Sequence, residues 1–352
     1  MSSYDEFNTI VIGAGQAGLA AGYYLQEKGD HFVILDENET IGTTWRKRWD
    51  SLRLFTPTHS NHLPGMKFHK PDVYFPTKDE VADYLEGYSG QFSLPVKFGM
   101  QVDSLQRNEA GYHITAGQKK FHARNVIIAT GAFRTPYVPR LAKKFSTKIV
   151  QMHSTMYTKP ADVPVSKALV VGAGNSGAEI ALELAKAGKK VWLAGRDVGS
   201  IPADKLGRYF GGRPYWWFMR HAMTIDTPLG KRMKSTVFKH GSPLIRTQRE
   251  HVAQAGVELL PRLIDSDDEI PHAENGQVIA AEGVIWATGF RPDYGWIQLP
   301  IFDKAGYPVH ERGVVTSAPG LYFLGLHFQT GLTSALLGGV GQDAKFITGQ
   351  IR

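Results

Sequence analysis

The 352-residue chain contains no cysteine. That absence excludes a disulfide framework, a thiolate nucleophile, a CxxC redox pair and any cysteine-ligated metal. A redox protein of this composition cannot pass electrons to a disulfide through its own thiols. Long apolar runs are missing as well: nothing approaches the roughly 18 residues that a membrane helix needs. The 13 histidines are scattered, with no HExxH and no carboxylate cluster at ligand spacing, so no metal site is expected. No GxSxG elbow is present either. The hard chemistry therefore falls to a bound cofactor. Asp5 and Glu6 open the chain without a basic cluster, and a strand-like segment follows at once. This argues against a secretory leader, and the protein is expected to be cytoplasmic.

Hydrophobic residues make up 42% of the chain, and its length suits two ordinary domains. The net charge is +7, but the basic clusters (Arg46-Lys47-Arg48, Lys119-Lys120, Lys143-Lys144, Lys231-Arg232) are dispersed. Nucleic-acid binding would gather such charge on one element with aromatics between, so no nucleic-acid partner is expected. A dispersed positive surface instead favours anionic cofactors.

An internal near-repeat organises the sequence. Thr9-Ile10-Val11-Ile12 leads into Gly13-Ala14-Gly15-Gln16-Ala17-Gly18, and Ala168-Leu169-Val170-Val171 leads into Gly172-Ala173-Gly174-Asn175-Ser176-Gly177. Behind the first motif Ala17, Ala20, Ala21, Tyr24 and Leu25 keep helical spacing; behind the second, Ala178, Ala181, Leu182 and Ala185 do so. Gly29 and Gly188 are placed to stop these helices, and second strands follow at Phe32–Leu35 and Val191–Leu193. Two more segments echo one another, Asn125–Gly131 and Gly283–Gly289, each a buried strand ending in Ala-Thr-Gly. The expectation is an α/β protein with two Rossmann-like dinucleotide-binding domains. Residues 1–159 and 290–352 would form the first, discontinuous domain, and residues 160–289 the second, inserted one. Linkers are expected at Lys159–Pro164 and Arg291–Asp293. Residues 207–250, rich in aromatic and basic side chains, break the repeat and read as a mostly helical excursion that covers a site or makes an oligomer contact.

A dinucleotide needs its pyrophosphate held where no side chain intrudes. Gly13 suits the tight turn, Gly15 the approach of backbone to phosphate, and Gly18 the close packing of helix on strand; Gln16 and Ala17 begin the helix whose N–H groups face the anion. Asp36 closes the second strand, where a carboxylate accepts bonds from ribose hydroxyls and repels a 2′-phosphate, as FAD or NAD requires. Gly172, Gly174 and Gly177, with Asn175 and Ser176, repeat the cradle. Here the strand runs into Arg196, which suits the 2′-phosphate of NADPH, while Asp197 beside it leaves NADH acceptable. The small residues of Ala129-Thr130-Gly131 and of Thr288-Gly289 let a cofactor approach the strand ends. The two motifs together imply two bound dinucleotides, FAD or NAD at the N-terminal cradle and a nicotinamide nucleotide at the middle one.

Taken together these residues resemble the class B flavin-dependent monooxygenases, most of all a small bacterial branch often labelled as cation-efflux-associated flavoproteins. The resemblance covers nearly the whole chain. Besides both cradles and both Ala-Thr-Gly segments it rests on Ile41–Trp45, Arg48–Leu54, Leu63-Pro64-Gly65, Gly320–Leu326, Gln329 and Leu332–Ala335. It implies an NAD(P)H-reduced FAD that meets oxygen as a C4a-(hydro)peroxyflavin and gives one oxygen atom to a thioether, amine or ketone. By the same resemblance Thr44 and Trp45 lie against the flavin, Val102 near its adenine, and Gln329, Leu332 and Thr333 near the isoalloxazine, with Gly325 in the same stretch. No side chain is assigned the chemistry itself; Phe55, Gln329 and Thr333 are its nearest candidates.

Two departures from the family pattern stand out. Of the fingerprint FxGxxxHxxx(Y/F/W), His153 and Tyr157 are present but Thr147 and Ile149 replace its Phe and Gly. Where animal-type members place a flavin-facing Asn, Ser51-Leu52 leads to Phe55. Tyr157, at a position where Baeyer–Villiger enzymes carry Trp, points to heteroatom oxygenation. The expected function is a monooxygenase acting on a small-molecule substrate and oxygen, with a homodimer left open. The departures motivate an alternative, an NAD(P)H oxidase or electron-transfer reductase that releases hydrogen peroxide. A third reading is a non-catalytic module that senses NADP redox state through the 207–250 surface.

Overall fold

The computed structural model describes residues 4–131, 135–201, 212–240, 243–264 and 269–351. Its first sheet is built on β1 (Asp5–Ile12), with β2 (Phe32–Leu35) and β3 (Val96–Lys97) on one side. On the other side β6 (Lys119–Ile128) carries the antiparallel pair β4 (Ser104–Asn108) and β5 (Gly111–Ala116) on its first half, and β16 (Leu321–Phe323) on its last three residues. Strands β3, β2, β1, β6 and β16 run parallel. Alternation along β1 sends Val11 to one face and Ile10 and Ile12 to the other. The Val11 face is covered by α1 (Gln16–Glu27), α3 (Lys78–Gln91) and α8 (Val340–Gln350); between the first two comes the single turn α2 (Thr43–Arg46).

The second sheet is smaller and wholly parallel. Its order is β11 (Glu258–Leu260), β10 (Lys190–Ala194), β9 (Lys167–Val171), β14 (Gly283–Trp286), β8 (Val150–His153). Helices α4 (Asn175–Lys186) and α7 (Arg249–Gln254) cover the Val170 face. Opposite it, Trp192 and Trp286 pack under the short hairpin β12 (Leu263–Ile264) and β13 (His272–Ala273).

Both expected helices end where the glycines stop them. Helix α1 ends at Glu27 and α4 at Lys186; Gly29 (φ 71°) and Gly188 (φ 83°) then take the left-handed conformation that lets their N–H groups cap the last turn. The expected excursion contains two helices, α5 (Arg213–His221) and α6 (Pro228–His240), while residues 207–211 and 241–242 lie outside the described residues.

The chain crosses between the sheets earlier than the linker expected at Lys159–Pro164. Val150–His153 was assigned to the first domain, yet its backbone pairs with Gly283–Trp286 at the edge of the second sheet. The crossing strands are β7 (Thr135–Pro136) and β15 (Phe290–Arg291), which pair antiparallel. Physical reason lies in β14: its second edge would otherwise expose a row of unpaired backbone groups.

Candidate functional site

The tips of three parallel strands build the first cradle. Ile12 stands in register with Leu35 and Ile128, so Gly13, Asp36 and Ala129 meet at one sheet edge. Gly13 has φ 106°, and its N–H donates to Leu35 O at 2.7 Å. A Cβ there would stand 2.6 Å from Ala129 O, and one at Gly18 would stand 1.8 Å from Gly13 O, so neither position admits a side chain. Gly15 is different: a Cβ would meet nothing within 4 Å. It is the N-cap of α1, and no side chain caps that helix. The helix therefore opens on clear space with its first N–H groups unclaimed by side chains, which is what a diphosphate requires. Asp36 borders this space. Its Oδ2 accepts from the Ala14 N–H at 2.6 Å and its Oδ1 from Asn38, which holds the carboxylate at the loop.

The second cradle repeats this geometry closely. Val171 is in register with Ala194 and Trp286. Gly172 has φ 109°, donates to Ala194 O at 2.8 Å, and a Cβ on it would stand 2.3 Å from Ala287 O. A Cβ on Gly177 would stand the same 1.8 Å from Gly172 O, and Gly174 again faces open space at an N-cap without a side-chain bond. The difference is at the rim. The position matching Asp36 is Gly195, where a Cβ would stand 2.6 Å from the Ala173 N, so no carboxylate fits there. Next to it a cavity of about 700 Å³ is lined by Arg196, Arg249 and Arg262, together with Asp197 and Glu274. Sequence reading found Arg196 and missed the other two. Arg262 follows β11, whose Leu260 lies beside Ala194, and Arg249 opens α7; only the sheet order brings them together.

Two of the expected cofactor residues turn their side chains elsewhere. Gln16 and Asn175 occupy the same place in the two motifs, and each uses its amide to catch a distant chain: Gln16 Nε2 donates to Ala335 O at 2.8 Å, Asn175 Nδ2 to Pro243 O at 3.1 Å. Asn175 Oδ1 also accepts from the Ile245 N–H. Arg246 then pairs with Glu179 on α4 at 3.1 Å, although burial pushes that carboxyl upward. These amides fasten the segments that cover each helix N-terminus.

Around the first cradle, Gly325 packs on Ala17, where a Cβ would stand 3.0 Å from the Ala17 Cβ. Thr44 is exposed and Trp45 half-buried against the first core, on α2. Val102 is buried, two residues beyond Met100, whose N–H donates to Asp36 O. Phe55 is half-buried. Gln329 is only 1% exposed, and its amide is spent internally: Nε2 donates to Arg312 O and Oε1 accepts from the Leu326 N–H. The amide holds the loop in shape, because burial demands partners for both of its ends. Leu332 is half-buried and Thr333 buried. Leu332 N–H donates to Met223 O and Ile225 N–H to Thr330 O, so the excursion is stitched to this C-terminal loop. Asp343, another residue that sequence reading missed, is buried under it and accepts from the Thr330 hydroxyl; burial raises its carboxyl.

The Ala-Thr-Gly segments differ in use. Ala129 O and Ala287 O both face a motif glycine. Thr130 is half-buried and Gly131 exposed with φ 73°. Thr288 and Gly289, however, hold the crossing chain: the Thr288 hydroxyl donates to Tyr137 O, and Gly289 O accepts from the Tyr137 N–H and contacts His153 Nε2 at 3.1 Å. Tyr157, the other fingerprint residue, is fully buried and donates to Glu183 on α4 at 2.9 Å.

Two sheets, each with a glycine turn at the tip of a parallel strand opening on a bare helix N-terminus, define an oxidoreductase that uses two dinucleotides. The chain belongs to the pyridine nucleotide-disulphide oxidoreductase family, whose model matches residues 10–205. It is 40% identical over 348 residues to an uncharacterized CzcO-like oxidoreductase of Geobacillus kaustophilus, with 98% of each chain covered. A 208-residue stretch is 33% identical to the indole-3-pyruvate monooxygenase YUCCA6 of Arabidopsis thaliana, spanning 56% of this chain and 50% of that one. Among solved structures, the flavin-containing monooxygenase from Stenotrophomonas maltophilia superposes with a TM-score of 0.80 at 27% identity, covering 99% of this chain and 98% of that one. The protein is a flavin-dependent oxidoreductase of monooxygenase type, with FAD and NADPH as its cofactors. The chain has no cysteine, so no electron relay through thiols of its own is open to it. Among the described residues no helix is long and apolar enough to cross a membrane, and no group of three or more metal-ligating side chains occurs.

Proposed function

We propose that the first cradle holds FAD, the second NADPH, and that the enzyme transfers one atom of oxygen to a small soft nucleophile, a thioether or an amine. The supporting observation is the pair of cradles with matching glycine geometry and opposite rims. Asp36 disfavours a 2′-phosphate, whereas Arg196, Arg249 and Arg262 favour one. Held by the Gly13–Gly18 turn and the α1 N-terminus, the flavin would supply the redox chemistry, the net reaction being NADPH, oxygen, one proton and the substrate giving NADP⁺, water and the substrate with one oxygen atom on its sulfur or nitrogen. The chain's own part is to hold and to cover. Gly15 and Gly174 leave room for the diphosphates, Gln16 and Asn175 fasten the covering segments, and the loop from Gly325 to Thr333 closes the first cradle. His153 braces the crossing chain at Gly289, and Tyr157 ties the segment after β8 to α4. We place the reaction in the cytoplasm, where NADPH is supplied.

The test is incubation of the purified protein with NADPH, oxygen and a methyl aryl sulfide. Sulfoxide formed in step with NADPH consumption is expected; consumption without sulfoxide would contradict the reading. One observation favours the oxidase alternative. The amide of Gln329, the polar candidate of the first cradle, is spent on the backbone of Arg312 and Leu326 and is not offered to a substrate or to oxygen. Stoichiometric hydrogen peroxide with every organic substrate tried would support that alternative.

A further inference from the structure

Helix α5 presents Arg213, Trp216, Trp217, Arg220 and His221 at spacings of 3, 4, 7 and 8 residues, which is one face of a helix. That face lines a second cavity of about 370 Å³, whose opposite wall is the turn carrying His59 and Ser60. Arg213 is already paired with Asp72. Arg220 is half-buried, and among the described residues no carboxylate pairs with it. Its guanidinium lies beside Gly338, where a Cβ would stand 3.1 Å from Nη2 and 1.7 Å from Ser60 O, so the Ser60 carbonyl keeps that position a glycine. Burial holds the guanidinium below its usual range. A half-buried cation without a counter-charge is costly unless it serves a ligand. Trp217 is 63% exposed and stacks on His221 at 4.8 Å, an apolar surface that no part of the described chain covers. Just beyond α5, Met223 and Ile225 bond to the loop from Thr330 to Leu332, which the proposed function sets over the flavin.

We infer that this cavity recognises the carboxylate of a substrate with an aromatic or similarly flat apolar body, Arg220 binding the carboxylate while Trp216 and Trp217 take the body. The inference rests on the proposed function for its meaning but not for its test. A charge-assisted bidentate pair is the contact that a guanidinium makes with a carboxylate and cannot make with the corresponding amide.

Phenylacetate and phenylacetamide, which the enzyme has no sulfur or amine in which to oxygenate, serve as binding probes. Calorimetric titration of the FAD-loaded protein should give phenylacetate at least about ten-fold tighter than phenylacetamide. Arg220→Gln should abolish that preference and Arg220→Lys should retain part of it, with flavin spectrum and Tm checking the fold. Trp217→Ala, on the exposed face, should weaken both probes several-fold and keep their ratio. Equal binding of the two probes, a preference unchanged in Arg220→Gln, or a Trp217→Ala without effect on either would overturn the inference. Sulfoxide formation from (phenylthio)acetate separates the two readings. If the acid binds through Arg220 yet is not oxygenated, the cavity stands and the oxygenase reading fails. If neutral sulfides are oxygenated while Arg220→Gln binds the acid as before, the cavity falls and the oxygenase reading stands.

Discussion

The two cradles of this molecule are nearly superimposable in backbone and opposite in charge. Gly13 and Gly172 share a positive φ within a few degrees, each pressed on the alanine carbonyl at the tip of the neighbouring strand. Gly15 and Gly174 both open on empty space. The rims then part: the carboxylate of Asp36 grips the first loop, while Gly195 fills the same position in the second and three arginines gather beyond it. Steric need fixes the part of the site that every dinucleotide shares, and in the proposed function the rim electrostatics select which dinucleotide each cradle takes. One amide position serves both: Gln16 and Asn175 reach 319 and 68 residues along the chain for their partners.

The comparison predicts the largest effects at the glycines that face space. Gly15→Val should fold, because nothing in the protein lies within 4 Å of a Cβ there, but should lose FAD affinity by at least about 100-fold, since several bonds to a charged group go together. Gly174→Val should stay yellow and lose NADPH reduction to a similar degree. Flavin content and anaerobic reduction distinguish them; two colourless proteins, or two unaffected ones, would break the comparison. Next comes the rim. Arg196→Ala should raise the KM for NADPH about 10- to 100-fold with little change for NADH, and Arg249→Ala or Arg262→Ala should do less. An equal loss with both nucleotides would deny the 2′-phosphate reading. Smaller again are Gln16→Ala and Asn175→Ala, each losing about 1 kcal/mol of anchoring; urea titration with each ligand should show the first weakening FAD and the second NADPH.

The smallest effect belongs to Asp343, which has no counterpart in the second cradle. Burial raises its carboxyl, so the folded state favours the neutral acid. Its contribution to stability is therefore complete below the ordinary carboxylate range and is lost as pH rises through the raised value. Asp343→Asn should gain Tm relative to the parent as the medium goes from acid to neutral, and a constant difference across that range would contradict the assignment.

Much of this was legible in the sequence for physical reasons. The strand–glycine–helix order is local, and the glycine positions are dictated by contacts within one turn and one neighbouring strand. Gly29 and Gly188 end their helices where the apolar period ends. What stayed hidden depends on contacts far apart in the chain. Val150–His153 has no strong strand pattern, and only the open edge of β14 recruits it. Arg249 and Arg262 are unremarkable until parallel order sets β11 beside β10. Gln329 reads as a polar loop residue, yet burial turns its amide inward to the Arg312 carbonyl.

Division of labour between the cradles is tested most directly by anaerobic stopped-flow mixing of the purified yellow protein with NADPH, in the presence and absence of 2′,5′-ADP. Rapid bleaching of the flavin band is expected, with 2′,5′-ADP slowing it competitively while leaving FAD bound. A flavin that NADPH does not bleach, or one that 2′,5′-ADP displaces, would contradict the account.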